Sequence, residues 1–155
     1  MNGVQSTPTG LEALVGGEHA AVYGYAAAGP VLVGLSAPVA LLAAARTGYD
    51  AHRASRDALV DAIAAAGGTA PPALPSYSVP FPLTSTAAVV RFLAGIEDRL
   101  CGVAAAAAGV TSTPSHRLLA VGVLSAAAVR ATRLKELGGA APSASVTPLP
   151  GLPGR

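Results

Sequence analysis

Cysteine is almost missing from this chain: Cys101 stands alone among 155 residues. That excludes an internal disulfide and any multi-cysteine metal site, and leaves Cys101 to be read as a small buried hydrophobe. Tryptophan is absent, aromatics make up 4% and charged residues 12%, with a net charge of +2. No run of Lys or Arg offers a nucleic-acid face. The densest basic group, Arg130, Arg133 and Lys135, reads as a solvated helix end whose cations complement the dipole. The opening MNGVQSTPTG has neither a basic nor an apolar leader segment, so a cytoplasmic protein is expected. Ala20–Ala45 carries no charge over 26 residues, long enough to cross a bilayer. It is mostly Ala and Gly, however, and Pro30 and Pro38 interrupt it. A buried helical hairpin is therefore expected rather than a membrane span.

What is present is alanine, within an apolar fraction of 52%. Alanine is the best helix former and a poor core filler, so long, closely packed helices in one domain are expected. Residues 1–8 read as a flexible lead, 9–137 as a bundle, and 138–155 as a Pro/Gly-rich tail, disordered unless its PLPGLP segment docks. Helix 1 begins near Thr9 and carries Leu11, Val15, Glu18, Val22 and Tyr25. Gly29-Pro30 should kink or end it, and Ser36 reads as the next N-cap. Helix 2 runs to Gly67-Gly68 on a stripe of Leu42, Ala45, Tyr49, His52, Arg56, Leu59 and Ile63. The segment 67–83 is rich in proline and must be extended. At roughly 3 Å per residue it reaches on the order of 50 Å, against about 36 Å for a 24-residue helix. Helices 2 and 3 are thus expected to run parallel, joined by a crossover along the whole bundle. Helix 3 starts at a Thr84/Ser85 cap. It fits two stripes, one with Glu97 at its centre and one with Glu97 at its edge, and the pattern does not separate them. Helix 4 starts near Thr113-Pro114, with Leu118, Val121, Ser125 and Val129 as its inner face. The expectation is an all-α, ferritin-like four-helix bundle with one long crossover.

Glu18, His52, Arg56 and Glu97 interrupt these apolar stripes near mid-helix, so a polar cluster is expected in the core, with Tyr23, Tyr25 and Tyr49 as neighbouring aromatics. Buried charges must be paired, and Arg56 is the expected counterion of the two glutamates. A di-iron bundle needs Glu-x-x-His twice. Three residues beyond Glu12, Glu18, Glu97 and Glu136 stand Val15, Ala21, Leu100 and Gly139, so the motif does not occur. No cofactor is expected; iron or another divalent metal on Glu18, His52 and Glu97 is the alternative. A third reading has Arg56 and His52 anchoring a small anionic ligand.

The stretches Glu18 to Tyr25 (EHAAVYGY), His52 to Leu59 (HRASRDAL), Tyr77 to Pro82 (YSVPFP), Glu97-Asp98 and Pro148 to Leu152 (PLPGL) together resemble an actinobacterial ferritin-like domain of unknown function, DUF4439. The resemblance spans nearly the whole chain in order. It implies a ferritin-like bundle from an actinobacterial source; it does not imply an activity. The absent di-iron motif, Arg56 on a core stripe and the alanine-rich helix faces lead to the expectation of a non-catalytic interaction or structural protein, working as a homodimer or with an unidentified protein partner, without nucleic acid or membrane. A divergent metal-binding or oxidative enzyme is the alternative.

Overall fold

The computed structural model of the chain describes residues 10–146. The lead expected at 1–8 and the PLPGLP segment lie outside that range. Four long helices form the molecule: α1 (Gly10–Gly34), α2 (Val39–Ala65), α3 (Thr86–Val110) and α4 (Pro114–Leu137), followed by a single turn, α5 (Pro142–Ser145). That turn packs on α4 and buries Ser145, so this part of the expected tail is ordered.

Helix ends follow local chemistry. α1 runs unbroken through Pro30. It ends where Ser36 takes a left-handed conformation (φ 50°) while Ser36 N donates to Val33 O and Ala37 N to Leu32 O. That is a Schellman closure, so Ser36 stops α1 instead of starting α2. Gly67 (φ 78°) and Gly139 (φ 93°) close α2 and α4 in the same way, with the positive φ that glycine adopts without strain. Ser85 caps α3 by accepting from Ala88 N at 3.2 Å.

The closures make α1 and α2 one antiparallel pair and α3 and α4 another, with α1 also packed on α3. Gly17 meets Leu100, and Gly24 meets Ile96 and Phe92. This runs α1 antiparallel to α3, so α2 and α3 are parallel and the crossover spans the bundle. It lies against α1 and α3. His19 Nε2 donates to Pro71 O at 3.2 Å, Tyr23 packs on Tyr77 with ring centroids 5.5 Å apart, and Phe81 sits edge-on to Phe92. Arg91 lies over the Phe81 ring, 4.2 Å from its centroid.

The core is in two parts. One gathers Tyr25, Leu32, Leu41, Val89, Leu93 and Leu134; the other gathers Leu14, Val15, Leu59, Leu100, Val123 and Ala127. Both stripes expected on α3 are used, because α3 packs on α1 and α4 together. α4 differs from expectation. Ala120, Val123, Ala127, Ala131 and Leu134 face inward, whereas Leu118, Val121 and Val129 are exposed. The bulk at the α3–α4 seam comes from α3, and an alanine face on α4 lets the two helices approach closely. Among the described residues no helix is long and apolar enough to cross a membrane; the uncharged stretch is divided by the turn at 35–38.

Candidate functional site

Between the two parts of the core lies a polar layer to which every long helix contributes. Glu18 follows Val15 by three residues on α1, and Glu97 precedes Leu100 by three on α3, so both carboxylates stay on the buried faces. Glu18, His52 and Glu97 are all fully buried. His52 bridges the two: Nδ1 donates to Glu18 Oε2 at 2.7 Å and Nε2 to Glu97 Oε1 at 2.9 Å. Because each ring nitrogen meets a carboxylate oxygen, each carries a proton and the ring is an imidazolium. Burial opposes that charge, but the hydrogen bonds to Glu18 and Glu97 outweigh it and hold the His52 pKa above its ordinary value.

Glu97 Oε1 is the hub. Besides His52 it accepts from Tyr25 Oη at 2.5 Å and from Arg130 Nε at 2.9 Å. Burial alone would raise the Glu97 pKa; the bond to His52 and the two nearby cations bring it below the usual carboxylate value. Tyr25 is pushed far up, first by burial and then by Glu97, and stays a hydrogen-bond donor. Its ring packs on His52 at 4.9 Å between centroids and fills the space left by the missing side chain of Gly48; a methyl group at that glycine would collide with it. Ser55 Oγ donates to Glu18 Oε1 at 2.6 Å. Two carboxylates thus face two cations, His52 and Arg130. Glu97 Oε2 is buried and accepts no hydrogen bond from the described residues.

Of the residues expected at the site, Glu18, His52, Glu97 and Tyr25 come together. Arg56 does not join them. Its Nε and Nη2 donate to Asp57 Oδ1 at 2.9 and 2.7 Å, and its side chain is a quarter exposed. The counterion is Arg130, three residues beyond buried Ala127 and reaching across the α3–α4 seam. The basic cluster on α4 is therefore not merely a solvated helix end: Lys135 also pairs across the seam, with Asp98 at 3.0 Å. An anionic-ligand site anchored on Arg56 loses its anchor for the same reason. Tyr23 sits under the crossover, and Tyr49 lies near the surface with Arg53 over its ring at 5.7 Å.

Sequence reasoning missed Arg130 and Ser55. The signal for Arg130 lay in the alanine stripe of α4, whose register places residue 130 at the edge of the buried face. Cys101, one turn beyond Glu97, is buried; burial and then Asp98 push its thiol up to about 11, which leaves the thiol protonated near neutral pH.

A metal ligand presents a nitrogen lone pair, and both His52 nitrogens are spent on carboxylates. Arg130 holds a fixed positive charge 2.9 Å from Glu97 Oε1. Among the described residues, no group of three or more His, Cys, Asp or Glu side chains is placed to hold an ion.

The molecule is thus a four-helix bundle with an ion-paired layer through its core. Residues 10–154 match the family described as Domain of unknown function (DUF4439), and the chain belongs to that family. It is also similar to the crystal structure of a conserved hypothetical protein, Rv2844, from Mycobacterium tuberculosis. The TM-score is 0.76 and the identity 28%, over 85% of this chain and 89% of that one. No curated protein matches it.

Proposed function

We propose that the chain is a metal-free, ferritin-like bundle without catalytic activity, which acts in the cytoplasm of an actinobacterium through protein contacts, including contacts with a second copy of itself. The observation that carries this reading is the commitment of His52 and Arg130. The place a di-iron bundle gives to cations is occupied by the protein's own imidazolium and guanidinium. Glu18, His52 and Glu97 are fully buried and bonded to one another or to Arg130, Tyr25 and Ser55, which leaves them poorly placed to take a proton from a substrate. The similarity to a mycobacterial protein supports the source.

One observation favours the competing metal reading: Glu97 Oε2 accepts no hydrogen bond, and a divergent site would begin there. The test is the metal content of protein purified without chelators, before and after anaerobic exposure to ferrous iron. We expect no stoichiometric metal in either case. Uptake of one or two ions per chain, lost in Glu97→Gln with helicity intact, would establish the metal-binding alternative.

A further inference from the structure

We propose that the second copy docks on the face shared by α2 and α4, with α4 packed against its own counterpart across a two-fold axis. This inference rests on the homodimer reading above and names its surface.

The α2–α4 seam is the loosest between neighbouring helices. It opens outward as a groove of about 750 Å³, lined by Ala54 and Ala58 of α2 and by Leu118, Gly122 and Ala126 of α4, with Arg130 also on its wall. From its Leu118 wall an uncovered apolar strip continues over the outer face of α4. Leu118 is 73% exposed, Val121 42% and Val129 69%, and residues 118–129 contain no charge. A protruding apolar strip and a groove on one face suit an isologous interface, in which each copy seats its strip in the groove of the other.

Gly122 points the same way. A methyl group there would meet nothing within its own chain, while glycine in a helix interior costs about 1 kcal/mol relative to alanine. In a closely crossed helix pair that missing side chain lets the two backbones approach. A face one helix long and two helices wide, roughly 36 by 20 Å, offers about 700 Å², close to the ~800 Å² each partner buries in a stable complex. Residues 147–155 are a poorer occupant, because proline-rich segments dock on aromatic-lined grooves and no aromatic side chain lines this one.

Sedimentation equilibrium of the full chain at micromolar concentration is expected to give a dimer. Leu118→Lys combined with Val121→Lys should give a monomer with unchanged circular dichroism. Gly122→Phe should do the same, and decides the matter if the double variant fails to fold. Val39→Lys, 81% exposed but away from this face, should remain dimeric. Ser125→Cys, on the strip near the proposed axis, should oxidise to a covalent dimer. A dimer that survives both the strip variants and Gly122→Phe overturns the surface while leaving the homodimer reading intact. A wild-type monomer at every concentration overturns both. Loss of the dimer on deleting residues 147–155, with the strip variants still dimeric in the full chain, assigns the contact to the tail and overturns the proposal.

Discussion

One helix makes two different seams. Toward α3, α4 presents alanines, packs tightly, and sends Arg130 and Lys135 across to Glu97 and Asp98. Toward α2 it presents a mixture of Leu118, Leu119 and Val123 with the small Gly122 and Ala126, and leaves a groove whose wall includes Arg130. Size and hydrophobicity would have put Leu118, Val121 and Val129 inside. What decides is pairing. A buried Glu97 costs several kcal/mol without a partner, and bringing Arg130 to it fixes the rotation of α4, which turns the alanine face inward. The comparison teaches that a buried charge can outweigh the preference of a few methyl groups.

The sharpest way to break the tight seam is Glu97→Gln. It leaves the His52 and Arg130 cations without their shared carboxylate, and a loss of about 3–5 kcal/mol is expected. For a domain of this size that is roughly 6–20 °C in melting temperature, read by thermal circular dichroism. A change below 2 °C would mean that the layer is not ion-paired.

Acidity tests the same layer more gently. The folded pKa of His52 lies above the ordinary 6.5, so its contribution is fully present below 6.5 and fades as pH rises through the raised value. That of Glu97 lies below the ordinary 4.5, so its contribution is fully present above 4.5 and fades as pH falls through the lowered value. Together they place the plateau of these two contributions between about pH 4.5 and 6.5. His52→Gln should flatten the alkaline decline expected in melting temperature against pH; an unchanged decline would assign it to other groups.

A smaller pair of changes sets the seams against each other. Ala127→Leu overpacks the α3–α4 side, where residue 127 is fully buried, and should cost about 1–3 kcal/mol. Gly122→Ala, on the open side, should add roughly 0.5–1 kcal/mol when measured at concentrations low enough to keep the chain monomeric. Denaturant midpoints that move in the same direction for both would remove the distinction between the seams.

Much of this was legible in the sequence. The four helices, their glycine stops, and the crossover that leaves α2 parallel to α3 follow from alanine runs, Gly-Gly pairs and prolines. Glu18, His52 and Glu97 could be read because each breaks an apolar stripe near mid-helix. Arg56 misled because the buried positions of α2, Gly48, His52 and Leu59, put Ser55 and Arg56 at opposite edges of one stripe. Which edge turns inward depends on the neighbouring helix, and the long arginine can reach outward to Asp57. Arg130 stayed hidden because small alanines marked the inner face of α4 while larger residues lay outside. Ser36 was read as a cap because its side chain suits one, but the backbone spends it in a left-handed turn.

The polar layer has one more consequence, and it concerns ambiguity. Helices faced with alanine are smooth, and one can slide past its neighbour by a turn, about 5.4 Å, with little change in apolar contact. Only the level at which Glu18, His52, Glu97 and Arg130 meet marks a single alignment, since any slip strands a charge in hydrocarbon. The layer would then act as a key that selects one arrangement among near-equals. Replacing all four residues by apolar ones of similar volume should preserve helicity and melting temperature yet broaden the amide NMR spectrum, whereas a spectrum as sharp as the wild type would show that the alanine faces find their alignment unaided.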